Sequence, residues 1–408
     1  MGPGVNEIAV VGAGTMGAGI AQLAASHGCR VHLFDVNRDV LDEAREKIAQ
    51  HLDRSVSKGR LAATERDVIL ERIRPAVAIE HLDGVELAIE AVVEDLAAKH
   101  GVFADLERTT PRTAVLASNT SSLSITRIAE AVADPGRVVG MHFFNPAPVL
   151  PLVEVIAGER SAAESVEWAV AAARAWGKTP VRVKDTPGFI VNRVARGFYL
   201  EALRLLSEGV AGVDEIDAVM RTHGSFRMGP FELMDLVGLD VNLAVSTSVW
   251  EQLGRPVRLE PHDIQRRLVE ADKLGCKTDC GFYRYDQGHK VPAQAVDRRS
   301  FLLSPLLSDA MLAFCARAGA SHAGSTEQYV FARILAAIMN EAAFAFDEGV
   351  ASSDGIDLAM QKGTNYPKGP LAWADEVGHR TVRGVLRALN QSAGDGRYEP
   401  ARLFQQAT

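Results

Sequence analysis

A glycine-rich turn near the start of the chain constrains its fold more than any other feature. The apolar segment Ile8–Val11 leads into the turn, the next segment, Ala18–His27, is typical of a helix, and Val31–Asp35 is a second apolar segment. The glycines of the turn are Gly12, Gly14 and Gly17. A strand, a tight turn, a helix and a second strand with short connections predict a parallel strand pair with a right-handed crossover.

This turn has the spacing of a dinucleotide-binding site. The first glycine permits the tight turn, the second lets a pyrophosphate approach the backbone, and the third lets helix and strand pack closely. Asp35, at the end of the second strand, is placed to accept hydrogen bonds from the adenine ribose, which favours NAD over NADP. Arg38 lies nearby and would weaken that preference. FAD, and a generic glycine turn capped by Asp35, remain the alternatives.

Strand-like and helix-like segments alternate over the first 184 residues. This pattern predicts an α/β domain of the Rossmann type with a doubly wound sheet. A boundary follows at Asp185–Gly188, where proline and glycine interrupt the pattern, and apolar residues then recur at helical spacing. The further strand candidates are 87–91, 114–117, 138–141, 153–156 and 181–183.

The helical part of the chain contains an internal repeat. Phe189–Gly238 aligns with Tyr329–Gly378 without a gap. The matched pairs include Arg193 with Arg333, Glu201 with Glu341, Glu208 with Glu348, Asp217 with Asp357, and Gly229-Pro230 with Gly369-Pro370. The sequence therefore predicts an all-α domain duplicated in the chain. The predicted bounds are 1–184 for the nucleotide domain, 185–285 for the first helical copy, 286–325 for a linker and 326–408 for the second copy.

Composition excludes several classes of function. The 408 residues carry a net charge of -8, and no run of basic and aromatic residues indicates nucleic-acid binding. We find no apolar stretch long enough to span a bilayer and expect no membrane partner. The four cysteines are too few and scattered for a disulfide framework, and they form no metal-ligand pattern. A reducing compartment, the cytoplasm, and the absence of a bound metal are expected.

His142 is the candidate catalytic base. It follows the apolar segment Val138–Met141, which places it at the carboxyl end of a strand, where ligands bind in α/β sheets. Histidine side chains titrate near neutral pH, which suits removal of a hydroxyl proton during hydride transfer. The alternative is a histidine that serves only in packing.

A carboxylate and a polar turn accompany this histidine. Glu154 lies inside the apolar run Leu152–Ile156, and a buried acid in a strand is costly unless it is partnered. Beside His142 it would fix the tautomer and stabilise the imidazolium, whereas on an edge strand it would face water. Ser118–Ser122 follows another strand and supplies hydroxyl and amide groups, or is a plain polar turn.

These residues together resemble the L-3-hydroxyacyl-CoA dehydrogenase family, and the resemblance covers most of the chain. The motifs that carry it are Val11–Gly17, which includes Thr15 and Met16, then Ser118–Ser122, His142–Pro146, Asp185–Arg193 and Met228–Leu233. The resemblance implies hydride transfer from C3 of an L-3-hydroxyacyl-CoA to NAD, giving the 3-ketoacyl-CoA, in fatty-acid or aromatic-acid catabolism.

The resemblance also implies a role for each site residue. His142 is the base and Glu154 its partner, and Ser121 and Asn192 hydrogen-bond the reacting oxygen, with Asn192 supplied by the first helical copy. The cofactor contacts are Gly12, Gly14, Thr15, Met16, Gly17, Asp35, Glu94, Lys99, Asn145 and Lys277. The coenzyme A contacts are Lys58 and His51, of which His51 ranks lower.

The duplication has a meaning within the family as well. Relatives with one helical domain pair two of them in a homodimer, whereas relatives with two copies pair them within one chain, so this chain is expected to be a monomer or a homo-oligomer with internal pairing. Asn192 aligns with Ala332, which implies a structural second copy. In one departure, Asp279 stands where relatives carry a glycine after Lys277-Thr278, which puts the conformation of that turn and the cofactor contact of Lys277 in question.

Two other functions stay open at this point. One is a dehydrogenase of a free hydroxy acid or sugar acid, against which Lys58 argues as a coenzyme A contact. The other is a non-catalytic NAD-binding or structural protein, against which the intact set His142, Glu154, Ser121 and Asn192 argues. Among thioesters, 3-hydroxybutyryl-CoA and 3-hydroxyadipyl-CoA are both open, and so is the physiological direction.

Overall fold

The computed structural model describes residues 5–79, 82–287, 289–294, 298–299 and 303–406. It divides into two compact units, Met1–Phe189 and Ile190–Thr408. The first unit is an α/β domain and the second is almost entirely helical, so the predicted fold class is confirmed.

The first unit is built around one eight-stranded sheet. The strands lie in the order β3-β2-β1-β4-β5-β6-β7-β8, and all neighbours are parallel except β6 and β7, which are antiparallel. The elements are β1 (Glu7–Val11), α1 (Thr15–Ser26), β2 (Arg30–Phe34), α2 (Arg38–Ser57), α3 (Ala63–Arg72), β3 (Ile73–Ala76), β4 (Leu87–Glu90), α4 (Leu96–Thr109), β5 (Val115–Ser118), α5 (Ile125–Ile128), β6 (Val138–Phe143), β7 (Leu152–Ala157), α6 (Ala163–Ala175) and β8 (Thr179–Lys184).

The seven predicted strands are confirmed, with bounds that shift by one or two residues. Strands β4, β5 and β6 are buried at every position, because helices cover both faces of a parallel sheet. The sequence missed β3, whose residues include Arg74 and Pro75. This strand forms the edge of the sheet, where a proline is tolerated because no neighbour needs its missing N–H.

The second unit consists of helices and one small hairpin. Its elements are α7 (Val191–Val194), α8 (Arg196–Ser207), α9 (Val213–Thr222), α10 (Pro230–Val237), α11 (Leu239–Gln252), α12 (Asp263–Glu270), β9 (Tyr283–Asp286), β10 (His289–Pro292), α13 (Pro305–Ala318), α14 (Ser325–Asp347), α15 (Ser353–Thr364), α16 (Pro370–Val377), α17 (His379–Ala393) and α18 (Arg402–Gln405).

The internal repeat is visible in the backbone of this unit. Helices α10 and α16 begin at the matched prolines, and each ends at a glycine of similar conformation, Gly238 with φ 100° and Gly378 with φ 89°. Asp217 accepts hydrogen bonds from the first backbone N–H groups of α10, and Asp357 does the same for α16. The same residue types thus make the same cap in both copies.

Buried arginine–glutamate contacts link the two repeats. Arg193 Nε lies 2.7 Å from Glu341 Oε1, and Arg333 Nε lies 2.7 Å from Glu201 Oε1. Each arginine also contacts a second glutamate of the other repeat, Glu348 for Arg193 and Glu208 for Arg333. The contacts are reciprocal, since each arginine and each glutamate has its counterpart in the repeat alignment.

The prediction of a linker over 286–325 was wrong in part, because helix α13 lies within it. Ser304 caps this helix and Pro305 occupies its first turn. Its buried residues recur at helical spacing: Leu307, Met311, Phe314, Cys315 and Ala318. The helix packs against α14 and α17, so it contributes to the core of the second unit, whereas residues 288, 295–297 and 300–302 of the predicted linker lie outside the described residues.

The expectation that no apolar stretch is long enough to cross a bilayer was also wrong. Within the described residues, α14 is long and apolar enough to cross a membrane, although 83% of its apolar stretch is buried inside the protein. Helices α10 and α11 would be long enough only as one continuous span, but they are bent by 101° relative to each other. The apolar character of α14 has a structural explanation, since α8, α9, α13, α16 and α17 all pack on it.

Candidate active site

The glycine turn between β1 and α1 has the geometry of a phosphate cradle. Gly12 has φ 101°, and a Cβ atom there would lie 2.5 Å from the carbonyl oxygen of Ala91. At Gly17 a Cβ would lie 1.7 Å from the oxygen of Gly12, whereas at Gly14 it would meet nothing within 4 Å. Gly12 and Gly17 are therefore required by packing, and Gly14 leaves open space beside the start of α1.

The first residues of α1 face that space. Gly14 caps the helix without a side chain, Gly14 and Thr15 are exposed, and Met16 is half-buried. The first N–H groups of a helix carry a partial positive charge and attract phosphate groups. These residues fit the pyrophosphate of a dinucleotide.

Asp35 is held against the glycine turn. Its Oδ2 atom accepts a hydrogen bond of 2.9 Å from the Ala13 amide, and its Oδ1 atom accepts one of 3.0 Å from the Asn37 amide. The carboxylate thus has a fixed orientation beside the cradle. Arg38 is exposed, and its Nε lies 3.5 Å from Asp42 in the next turn of α2.

Glu94 organises the polar turn after β5. One oxygen, Oε1, accepts hydrogen bonds from the Ser121 amide and the Ser122 amide, both at 2.9 Å, and from the Thr120 hydroxyl at 2.6 Å. Burial disfavours the charged form, but the field of Lys99 and these hydrogen bonds outweigh it and lower the pKa of Glu94. Glu94 and Ser121, predicted for different roles, therefore lie in one hydrogen-bonded cluster.

Lys99 lies beneath this cluster. Its side chain is 1% exposed, and its Nζ atom lies 2.7 Å from Glu90 Oε1 and 3.2 Å from Glu94 Oε2. Glu90 is fully buried and also accepts a hydrogen bond of 2.6 Å from the Ser118 hydroxyl. The sequence analysis missed Glu90, although an acid at the end of the apolar run Leu87–Ile89 was a signal of the same kind as Glu154.

His142 and Glu154 form a buried pair. They lie directly opposite each other in the antiparallel register of β6 and β7, and His142 Nδ1 is 2.7 Å from Glu154 Oε2. Glu154 is fully buried, and β7 lies between β6 and β8, so the alternative of an edge-strand glutamate was wrong. An Nδ1–H that donates to the carboxylate leaves Nε2 as the proton acceptor.

Two aromatic rings flank the histidine. The ring centre of Phe144 lies 4.5 Å from that of His142, and the ring centre of Phe189 lies 5.9 Å away. Phe189 has the unusual φ of 48°. The contacts with the two aromatic rings restrict the imidazole of His142 and reduce the access of water to it.

His142 lies within β6, one residue before its end, and not after the strand as predicted.

The loop after β6 carries Asn145, which is exposed. Lys178, a buried lysine, holds this loop by donating hydrogen bonds of 2.6 Å to the Ala147 carbonyl and 2.8 Å to the Leu150 carbonyl. Burial lowers the pKa of Lys178 to about 8. Asn119 Oδ1 accepts a hydrogen bond of 2.9 Å from the Phe143 amide and so connects the Ser118–Ser122 turn to β6.

The predicted coenzyme A contacts lie on and after α2. His51 is half-buried, and its Nδ1 atom lies 2.9 Å from Gln22 Oε1. Lys58 is exposed and follows the last residue of the helix.

The four cysteines are free, and no group of metal-ligating side chains occurs in the part of the chain that the structure describes.

The remaining site residues belong to the second unit. Asn192 is half-buried on α7, and its repeat counterpart Ala332 is buried. Lys277 Nζ lies 2.6 Å from both carboxylate oxygens of Asp240. Asp279 adopts the left-handed conformation, with φ 54°. The turn thus keeps a backbone that favours glycine, with aspartate in its place.

Comparisons with known proteins agree with this geometry. The chain matches the 3-hydroxyacyl-CoA dehydrogenase NAD binding domain over residues 7–186. It matches the 3-hydroxyacyl-CoA dehydrogenase C-terminal domain twice, over residues 188–285 and 329–408. The second match is to the same model as the first, so the duplication is of one domain type.

Relatives cover nearly the whole chain. A 3-hydroxyadipyl-CoA dehydrogenase of Escherichia coli is 37% identical, over 98% of this chain and 97% of that protein. A probable 3-hydroxybutyryl-CoA dehydrogenase of Bacillus subtilis is 40% identical, over 69% of this chain and 98% of that protein. The crystal structure of a 3-hydroxybutyryl-CoA dehydrogenase from Escherichia coli, 37% identical, covers 98% of both chains with a TM-score of 0.86. The chain therefore belongs to the 3-hydroxyacyl-CoA dehydrogenase family and is an NAD-dependent oxidoreductase acting on 3-hydroxyacyl-CoA.

Proposed function

We propose that His142 is the general base of this dehydrogenase. The observation that carries the proposal is the buried pair with Glu154, at 2.7 Å. As the C3–H bond breaks and the C3=O bond forms, His142 Nε2 takes the hydroxyl proton. Glu154 holds Nδ1–H and stabilises the imidazolium that results. NAD, when bound, accepts the hydride from C3.

Ser121 and Asn192 are proposed to hydrogen-bond the reacting oxygen. Negative charge develops on this oxygen when the proton leaves, and fixed donors stabilise it without reorganising. Ser121 is suited to this role because Glu94 fixes its backbone through the amide. Asn192 occupies a helical position whose counterpart in the second copy is an alanine, in keeping with one active site per chain.

The cofactor would lie along the carboxyl ends of the first strands. The pyrophosphate would lie at the glycine turn and the adenine ribose at Asp35. Lys99 would act through Glu94, which it orients, because its own ammonium group is buried. The residues proposed for NAD are Gly12, Gly14, Thr15, Met16, Gly17, Asp35, Glu94, Lys99, Asn145 and Lys277.

The thioester end of the substrate is proposed to lie near α2. Lys58, just after this helix, is exposed, and its positive charge would attract a phosphate of coenzyme A. His51, on the helix, is a second and weaker candidate. For the acyl part there are two candidates, a six-carbon dicarboxylic chain and a four-carbon chain, because the relatives that cover 98% of this chain are named for 3-hydroxyadipyl-CoA and for 3-hydroxybutyryl-CoA.

The proposal includes the organisation of the chain. The nucleotide domain would be 1–184 and the helical copies 185–285 and 326–408, with α13 in the intervening 286–325. The reciprocal contacts of Arg193 and Arg333 support pairing of the copies within one chain, which would make a monomer active. The four free cysteines support a reducing compartment, the cytoplasm.

One assay with several substrates tests the reaction. Purified protein is mixed with NADH and acetoacetyl-CoA, and the loss of NADH absorbance is followed. Free acetoacetate and an oxidised sugar acid are run in parallel. We expect turnover of the thioester alone. Turnover of the free acids without turnover of the thioester would refute the proposal.

A further inference from the structure

Arg196, the first residue of α8, is a buried cation without a carboxylate partner. The residue is 3% exposed, and no carboxylate lies within ion-pair distance of it among the described residues. Its Nη1 atom donates to two neutral groups, the Ser246 hydroxyl at 2.7 Å and the Asn242 carbonyl at 3.2 Å. A buried charge that lacks a counter-ion is unfavourable, so an anion bound beside Arg196 would stabilise it.

The other buried arginines of this unit differ from Arg196. Arg193 pairs with Glu341, Arg333 with Glu201, and Arg204 also with Glu201. Arg196 instead has the ring of Tyr199 at 4.8 Å from its guanidinium carbon. Burial lowers the pKa of Arg196, and no carboxylate in the described residues opposes this effect.

One edge of the guanidinium makes no hydrogen bond with the described residues. Nε is buried and has no hydrogen-bond partner, and Nη2 makes no hydrogen bond with the described residues. These two atoms form the edge that binds a carboxylate through two parallel hydrogen bonds. The Tyr366 hydroxyl, buried and also without a partner, interacts electrostatically with Arg196 and offers a further donor.

The internal repeat shows that the fold does not need a cation here. With the same offset, Arg196 aligns with Ala336, Asn242 with Val382 and Ser246 with Leu386, and all three counterparts are buried and apolar. Asn192 aligns with Ala332 in the same way. The copy that lacks the proposed active-site amide thus also lacks the arginine and its two polar partners.

Arg196 follows Asn192 by four residues in helical backbone. Residues four apart lie on the same side of a helix, about 6 Å apart along its axis. If Asn192 binds the C3 oxygen, a carboxylate two or three carbons farther along the acyl chain is at a matching distance from Arg196.

We propose that Arg196 binds the distal carboxylate of a short dicarboxylyl-CoA substrate and so determines the specificity of the enzyme. The proposal rests on the proposed function, which places Asn192 at the reacting oxygen. The unpaired Nε–Nη2 edge forms the two hydrogen bonds to the carboxylate, and the Tyr366 hydroxyl donates a third. A methyl group in place of the carboxylate leaves the cation unpaired.

The test compares kcat/KM for 3-hydroxyadipyl-CoA and 3-hydroxyhexanoyl-CoA, with NAD in excess. These substrates have the same number of acyl carbons and differ in the terminal carboxylate. We expect the wild-type enzyme to prefer the dicarboxylyl substrate, and Arg196→Met to lower the ratio of the two values by about a hundredfold. Arg196→Lys keeps the positive charge but not the two parallel donors, so it should lower the ratio less than Arg196→Met does.

Two further variants separate recognition from folding. Arg387→Met removes an exposed arginine on α17 and should leave the ratio unchanged. Tyr366→Phe removes only the hydroxyl and should lower the ratio severalfold, which keeps the test valid if Arg196→Met does not fold. Equal kcat/KM values for the two substrates in the wild-type enzyme, or an equal loss with both in Arg196→Met, would overturn the role of Arg196. Failure to turn over any acyl-CoA would instead refute the proposed function.

Discussion

Glu154 lies directly opposite His142 in the antiparallel pair β6–β7, and its Oε2 atom is 2.7 Å from His142 Nδ1. The register places the carboxylate on the side of the imidazole away from Nε2, so that it orients the ring and leaves the other nitrogen for substrate. This relationship explains why a fully buried glutamate is tolerated within an apolar strand.

Replacing this carboxylate tests its function. Glu154→Gln keeps the size of the side chain but cannot stabilise the imidazolium, so kcat should fall by about a hundredfold or more, with little change in the affinity for NADH. The control is Glu164→Gln, an exposed position on α6, which should behave as wild type. A kcat for Glu154→Gln within threefold of wild type, roughly 0.7 kcal/mol, would remove Glu154 from the mechanism.

Substitutions at two glycines of the cradle should affect NADH binding and protein stability separately. A Cβ at Gly14 meets nothing within 4 Å, so Gly14→Val should fold normally but weaken NADH binding by about tenfold or more, since its side chain occupies the phosphate space. Fluorescence titration of NADH and thermal unfolding provide the two readouts. Unchanged affinity in a folded Gly14→Val protein would place the pyrophosphate elsewhere.

Gly17→Ala should instead lower the stability of the protein. Its Cβ would lie 1.7 Å from the Gly12 oxygen, so the turn must shift, at a cost of about 1–3 kcal/mol in the free energy of unfolding. Urea denaturation measures this cost. A Gly17→Ala protein as stable as wild type would show that the backbone can adjust to the added methyl group.

The contacts between repeats should matter for stability and not for chemistry. Arg333→Met leaves Glu201 without its closest arginine, and breaking a buried pair in this way costs about 3–5 kcal/mol. The kcat of the folded protein should stay close to that of wild type, because Arg333 contacts Glu201 and Glu208 and none of the proposed site residues. Arg387→Met is the exposed control in the same copy. A loss below about 1 kcal/mol would mean that these contacts act like surface pairs.

Asp217 should make stability depend on pH. Burial raises its pKa from the ordinary 3.8 to about 7, although the Tyr283 hydroxyl and two backbone amides oppose the shift. The folded state then binds a proton that the unfolded state has lost. The free energy of unfolding should therefore fall between about pH 4 and pH 7, by roughly 4 kcal/mol at most for this group, and then level off.

Asp217→Asn should remove this part of the pH dependence, whatever its cost at neutral pH. The matched variant is Asp357→Asn, which alters the equivalent cap in the second copy, where burial also raises the pKa. Chemical denaturation at a series of pH values gives the slopes. If Asp217→Asn kept the full wild-type decline between pH 4 and 7, the proton would bind at another group.

The fold could be predicted from local patterns to a large extent. Apolar runs between glycine and polar turns identified seven strands, and the third glycine's steric role follows directly from its position between β1 and α1. Strand β3 escaped because Arg74 and Pro75 interrupt its apolar character. Helix α13 was missed because the polar segment before it is typical of a linker, although the leucine, methionine and phenylalanine residues of the helix recur at helical spacing.

The site was predictable in composition but not in contacts. His142 and Glu154 could be paired only by supposition, since their contact depends on an antiparallel register within a mainly parallel sheet. The repeat alignment contained both arginines and both glutamates, yet nothing local indicates that Arg193 meets Glu341 across 148 residues of sequence. Arg196 gave no signal at all, because the absence of a counter-ion is a property of packing.

The most direct test of the central claim is the steady-state rate of NADH oxidation by acetoacetyl-CoA in His142→Gln compared with wild type. Nε2 of His142 is the proposed site of proton transfer, so kcat should fall by about a hundredfold or more, while NADH binds with unchanged affinity. A near-normal kcat in a properly folded His142→Gln enzyme would contradict the account.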